Sequence, residues 1–231
     1  MSGLNITHVI FDVDGVLLDT EHLYTEMLQS FASEFRKTFT INIKLKQMGR
    51  SNVEAAQIFI KELEIPITTD EYIQKMACLQ KEYFPNVKLI PGVERIVEHL
   101  HKNNIPMAIA TGSCQESFDT KTSKHKNFFN KYFSHVVLGS DPDLLYGKPA
   151  PDIYIKAAKM FVKPPKNPEN VLIFEDAING VQAGVAANMN VVWIPDLAIT
   201  PADKIDIKQG SIFQLNSLND FKPELFGLPV Y

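Results

Sequence analysis

Polar and apolar positions along this chain fall into two alternating patterns. Residues 8–12, 106–110, 135–138, 171–174 and 190–194 are short, almost continuously apolar runs closed by polar or turn residues. Runs of that length and composition predict strands buried on both faces. Between them, apolar residues recur at helical spacing. Helices are predicted over 93–101, in segments around 114–131, and over 152–161 and 178–188. Strand and helix in alternation imply βαβ units and a mostly parallel, Rossmann-like α/β sheet with helices on both faces. Residues 211–215 fit one more short strand.

The interval between the first two strands breaks this rhythm. Leu23, Met27, Leu28, Phe31 and Phe35 keep helical spacing, as do Val53, Ala56, Ile60 and Leu63, and a further helix fits 70–83. The stretch is too long and too periodic for a loop. It predicts a small inserted helical domain over 18–88, with an α/β core built from 1–17 and 89–231. Pro85 and the Pro91-Gly92 turn mark the return to the core.

Composition narrows the function classes. Of 231 residues, 45% are hydrophobic and 22% charged, as in ordinary globular proteins. A net charge of −4 leaves no basic footprint for nucleic acid. Cys78 and Cys114 are the only cysteines, too few for a disulfide framework or a zinc knuckle, which suits a reducing compartment. Residues 1–7 lack the basic flank and apolar centre of a signal peptide, and no apolar run nears the length of a membrane span. A cytoplasmic monomer without membrane or nucleic-acid partners is therefore expected.

The candidate chemistry sits at the strand ends. The first strand runs into Asp12-Val13-Asp14-Gly15, the second into Thr111-Gly112-Ser113, the third leads to Gly147-Lys148-Pro149, and the fourth runs into Glu175-Asp176. In parallel strands these ends share one sheet edge, where open α/β folds bind ligands. Asp12 and Asp14 stand two residues apart and point the same way, so they repel unless a cation or a proton intervenes. An EF-hand is excluded: Gly15 comes fourth in the loop, not sixth, and Val16-Leu17-Leu18 follow. Thr111 fits a helix N-cap as well as a phosphate grip made with the Gly112 and Ser113 amides. Lys148 fits a solvated charge or a turn-held cation facing a phosphoryl group. Glu175 and Asp176 fit helix-dipole acids or metal ligands. Together the set suits a hard divalent cation and a phosphate. The six histidines form no metal-ligand pair, and no serine lies in a nucleophile elbow.

These motifs, in this order, resemble the haloacid dehalogenase-like hydrolase superfamily. Asp12-Val13-Asp14-Gly15-Val16, Thr111, Lys148 and Glu175-Asp176 match its signature in turn, and the helical insertion resembles its small cap domain. Residues 117–126, 138–142 and 223–229 are similar to the corresponding stretches of animal pseudouridine-5′-phosphatases. The resemblance implies a Mg²⁺-dependent phosphatase of a small phosphomonoester, with pseudouridine 5′-phosphate as the favoured substrate. Sugar phosphate, glycerol phosphate or FMN hydrolysis, or a phosphomutase, is the alternative. It further implies Asp12 as nucleophile and Asp14 as acid and base. Thr111, Gly112, Ser113 and Lys148 would hold the phosphate, with Asp12, Asp14 and Asp176 at the metal and Glu175 there directly or through water. From the cap, Tyr24 and the turn bearing Arg50, Ser51 and Asn52 would choose the leaving group.

Overall fold

A computed structural model describes residues 4–47, 50, 52–195 and 211–231. Six parallel strands form one sheet among these residues: β1 (His8–Phe11), β2 (Met107–Thr111), β3 (Val136–Leu138), β4 (Val171–Glu175), β5 (Asn190–Trp193) and β6 (Ile212–Gln214). Their order is β3-β2-β1-β4-β5-β6. The order reverses at β1, between β2 and β4, which places the ligand-binding crevice of such a sheet at the ends of those three strands.

The apolar runs are continuous because both faces of the sheet are covered. Val9 and Phe11 join α5 (Val93–Lys102), α6 (Gln115–Thr122) and α7 (Lys126–Tyr132) in one hydrophobic cluster. Ile10 points the other way, to a second cluster with α8 (Asp152–Met160) and α9 (Ile178–Ala186). The predicted 114–131 helical region is thus two helices, joined by a 3₁₀ turn at Ser123–His125.

Between β1 and β2 run α1 (Glu21–Glu34), α2 (Ile41–Gln47), α3 (Asn52–Leu63) and α4 (Thr69–Tyr83). They close on a cluster of their own around Phe31, Phe59, Tyr72 and Met76. Helix α2 is absent from the sequence expectation. Ile41, Ile43 and Leu45 alternate with polar residues at period two, which is no helical signal, and only Ile43 and Gln47 are buried, four residues apart. Helix α4 begins at a capping box, with Thr68 accepting from the Glu71 amide and Glu71 accepting from the Thr68 amide.

The two links to this helical unit run side by side. The Asp19 amide donates to the Lys88 carbonyl at 2.9 Å, and the Ile90 amide to the Leu17 carbonyl at 3.0 Å. Leu18 and Leu89 form an antiparallel bridge there. No helix among the described residues is long and apolar enough to cross a membrane.

Candidate active site

Asp12 follows β1 directly, and its amide donates to the Phe174 carbonyl on neighbouring β4. This main-chain bond continues the sheet by one residue and brings the Asp12 carboxylate to the sheet edge. Lys148 crosses from the turn after β3, and its ammonium donates to Asp12 Oδ1 at 2.7 Å and to Glu175 Oε1 at 2.5 Å. A weaker contact runs to the Ala110 carbonyl at 3.3 Å. The Lys148 side chain is mostly withdrawn from solvent, and that alone would lower its pKa. Asp12 and Glu175 outweigh that and hold it well above the ordinary lysine value.

Glu175 is wholly buried, and each of its oxygens is engaged. Oε1 accepts from Lys148 and from the Tyr154 hydroxyl at 2.6 Å, while Oε2 accepts from the Asp176 and Ala177 amides at 3.0 and 3.1 Å. Glu175 was expected at the metal directly or through water; in this structure its two oxygens accept from these four donors, Lys148 among them.

Asp14 lies two residues beyond Asp12, yet its carboxylate has different partners. It accepts from Thr20 Oγ1 at 2.9 Å, Ser113 Oγ at 3.1 Å and Lys121 Nζ at 2.7 Å on each oxygen. Burial would raise its pKa, but the Lys121 charge and these hydrogen bonds bring it below the usual carboxylate value. Asp12 behaves oppositely. Burial dominates, Lys148 only partly opposes it, Glu175 and Asp14 add like charge, and its pKa rises to about 7. Burial also lifts Asp176 well above the carboxylate range, with Glu21, Glu175, Asp12 and Asp14 adding to the rise.

Thr111 ends β2 fully buried, and its Oγ1 accepts from the Ser113 amide at 3.3 Å. Ser113 thus turns its amide toward Thr111 and its hydroxyl toward Asp14. Gly112 stays open, since an added Cβ there would meet nothing within 4 Å. The loop is braced from behind. The Gly139 amide donates to the Ser113 carbonyl at 3.0 Å, and any Cβ on Gly139 would overlap the Gly112 carbonyl.

One cavity of about 640 Å³ joins these strand ends to the helical insertion. That volume lies within the range of small-molecule sites, roughly 300–1,000 Å³. Tyr24, Arg50 and Asn52 line it, together with Gln47 and Tyr72. Ser51 lies outside the described residues.

The acidic residues fit a hard cation. Ionised together, Asp12, Asp14, Glu175 and Asp176 would set four negative charges against the two positive charges of Lys121 and Lys148, an excess that a divalent ion would neutralise and that raised pKa values on Asp12 and Asp176 relieve without one. Among the described residues, no side-chain donor hydrogen-bonds Asp12 Oδ2 or the Asp176 carboxylate, and both residues line the cavity. No three His, Cys, Asp or Glu side chains among those residues form a complete cage. The expected ligands comprise only two carboxylates and a main-chain carbonyl, leaving other positions for water and phosphate, as Mg²⁺ prefers.

The model of the haloacid dehalogenase-like hydrolases matches residues 9–194. The chain belongs to this family. Within it, the chain is 42% identical to (DL)-glycerol-3-phosphatase 2 of Arabidopsis thaliana, over 98% of this chain and 93% of the relative. It is 40% identical to a probable pseudouridine-5′-phosphatase of Drosophila melanogaster, over 98% and 96%. Among solved structures, a putative beta-phosphoglucomutase from Thermotoga maritima superposes with a TM-score of 0.70 at 27% identity, covering 96% of this chain and 97% of that one.

Three residues at this family site were not singled out from sequence: Lys121, Thr20 and Tyr154. The signal for Lys121 was present. Ser117, Phe118, Lys121 and Thr122 share the buried face of α6, so a lysine there had to find an anion. Tyr154 reads as a core aromatic, and only the β4 end reveals its hydrogen bond.

Proposed function

We propose that this chain is a Mg²⁺-dependent phosphatase of a small phosphorylated metabolite, acting through an aspartyl-phosphate on Asp12, with pseudouridine 5′-phosphate as first candidate. The observation that carries this reading is the Lys148 bridge between Asp12 and Glu175. It fixes one oxygen of a buried carboxylate while the other lacks a side-chain donor among the described residues, an arrangement suited to a nucleophile.

In the proposed reaction an Asp12 oxygen attacks phosphorus and the bond from phosphorus to the ester oxygen breaks. Asp14, ionised in the resting site, takes up a proton with the incoming singly protonated phosphomonoester and passes it to the departing alkoxide. Asp14 then takes a proton from a water that attacks phosphorus, and inorganic phosphate leaves with Asp12 restored. Thr111 and the Gly112 amide hold phosphate oxygens, and Lys148 offsets charge gathering on Asp12 and the phosphoryl group. Ser113 contributes through its bond to Asp14. The Asp12 carboxylate, the Asp14 carbonyl and Asp176 would hold Mg²⁺, which, when bound, screens the repulsion between carboxylate and phosphate.

Residues 18–88 would act as a cap over the 1–17 and 89–231 core, opening about the paired links near 17–20 and 84–91 to admit substrate. Tyr24, Arg50, Ser51 and Asn52 would face the leaving group. A cavity of about 640 Å³ exceeds what glycerol phosphate needs and favours a bulkier leaving group such as a nucleoside. The 42% identity to a glycerol-3-phosphatase supports glycerol phosphate as the second reading. Phosphate release with Mg²⁺ from pseudouridine 5′-phosphate, uridine 5′-phosphate, glycerol 3-phosphate, FMN and sugar phosphates decides between them. Highest kcat/KM on the nucleotide, without a bisphosphate activator, supports the first reading. Highest kcat/KM on glycerol phosphate supports the second, and a strict need for an activator points to a mutase.

A further inference from the structure

Lys121 is fully buried, and it lies on α6, outside the family's signature motifs. Its ammonium donates to both oxygens of Asp14 and to Ser113 Oγ, all at 2.7 Å. Above it lie the rings of Tyr24, from α1, and Phe84, from the link that returns to the core, at 6.0 and 5.3 Å. Burying an ammonium is expensive unless it is paired and hydrogen-bonded, and here the pairing is with one carboxylate. Thr20 and Ser113 each hold Asp14 by one bond, whereas Lys121 holds both oxygens and so fixes the plane of the carboxylate. Rings from the insertion cover the same ammonium, so the seating of the cap and the aim of Asp14 share one contact.

We propose that Lys121 is a positioning residue that aims the Asp14 carboxylate for proton transfer to the leaving group. This rests on the Asp14 role proposed above. A misplacement of about 1 Å in a reacting group can cost on the order of 100-fold.

The test compares two leaving groups. An alkoxide needs a proton in the first step, whereas the acetate of acetyl phosphate leaves without one. The quantity read is kcat/KM, which covers steps through the first irreversible one. With Lys121→Met, kcat/KM for pseudouridine 5′-phosphate and glycerol 3-phosphate should fall about 100-fold, and for acetyl phosphate less than tenfold. Asp14→Asn should show the same split. In the double variant, which removes both buried charges together, kcat/KM should match Asp14→Asn alone, because the lysine acts only through the aspartate. Equal losses on both substrate types in Lys121→Met overturn the proposal, as does a double variant more than tenfold below Asp14→Asn. Should Lys121→Met not fold, the comparison of the double variant with Asp14→Asn decides alone. Asp14→Asn without a split removes the acid role itself and this inference with it. Asp14→Asn with a split and Lys121→Met without one removes only the inference.

Discussion

Replacing Gly180 by alanine tests how firmly the base of the site is set. Gly180 lies in α9, where alanine should favour the helix by about 1 kcal/mol. Geometry opposes this gain. A Cβ on Gly180 would overlap Oε1 and Cδ of Glu175 and come within 2.5 Å of its Oε2. A free glutamate would swing aside, but this one is wholly buried and bonded to Lys148, Tyr154 and two amides. Moving Oε1 gives up the Lys148 and Tyr154 bonds, each worth about 1.5–3 kcal/mol because the acceptor is charged. After the helix gain, the net loss is about 2–5 kcal/mol. For a chain of this size that lowers Tm by roughly 5–15 °C. Lys148 also loses one of its two carboxylate partners, so phosphatase turnover should fall about tenfold or more. Gly147→Ala is the matched control, since nothing lies within 4 Å of its added Cβ. Thermal melts and steady-state assays of both variants supply the numbers. A Gly180→Ala protein as stable and as active as the parent would refute the assignment of Glu175 as a fixed support for Lys148.

Two further outcomes follow from the same geometry. The Asp12 pKa is raised from 3.8 to about 7, and Asp176 is raised as well, so the native metal-free chain binds protons more tightly than the unfolded one. Stability of the chelator-treated protein should therefore fall as pH rises from about 4 toward 7, by no more than about 1.4 kcal/mol per pH unit for each proton released. Added Mg²⁺ should flatten that slope, and urea titrations across pH 5–8 measure it; His8 and His135, lowered by burial, add an opposing slope, so a metal-free slope left unchanged by Asp12→Asn and Asp176→Asn would contradict the burial of these acids. Arg50→Ala, on the cavity wall, should change relative kcat/KM across a phosphate panel more than it changes the Mg²⁺ requirement. Unchanged relative rates would remove Arg50 from substrate selection.

The fold was legible because its strands are apolar runs buried on both faces. Three of the runs, 8–12, 106–110 and 171–174, lead directly into candidate site residues, so those strand ends and candidates were found together. Helix α2 was illegible because Ile41, Ile43 and Leu45 alternate as a strand does, and helix packing overrides that pattern. Asp12, Asp14, Lys148 and Asp176 stand out in the sequence as candidates, but their partnerships do not. Spacing alone cannot tell that Glu175 turns inward to Lys148 while Asp176 faces the cavity. That depends on Tyr154 and Gly180, which approach from α8 and α9, the helices before and after β4. The two carboxylates after β1 also looked equivalent, yet Lys148 engages Asp12 while Lys121 engages Asp14, and their pKa values move apart. Lys121 shows how a buried charge on an otherwise apolar helix face marks a partner elsewhere.

Covalent catalysis by Asp12 is the claim on which the rest depends, and trapping the intermediate tests it most directly. A reaction with a turned-over phosphomonoester and Mg²⁺ is quenched with borohydride, which reduces an aspartyl-phosphate to homoserine, and the peptide spanning residues 8–16 is read by mass spectrometry. Conversion at position 12 is expected in the parent, with no conversion and no turnover in a folded Asp12→Asn variant. Undiminished turnover in Asp12→Asn, or trapping at any other residue, would contradict the account.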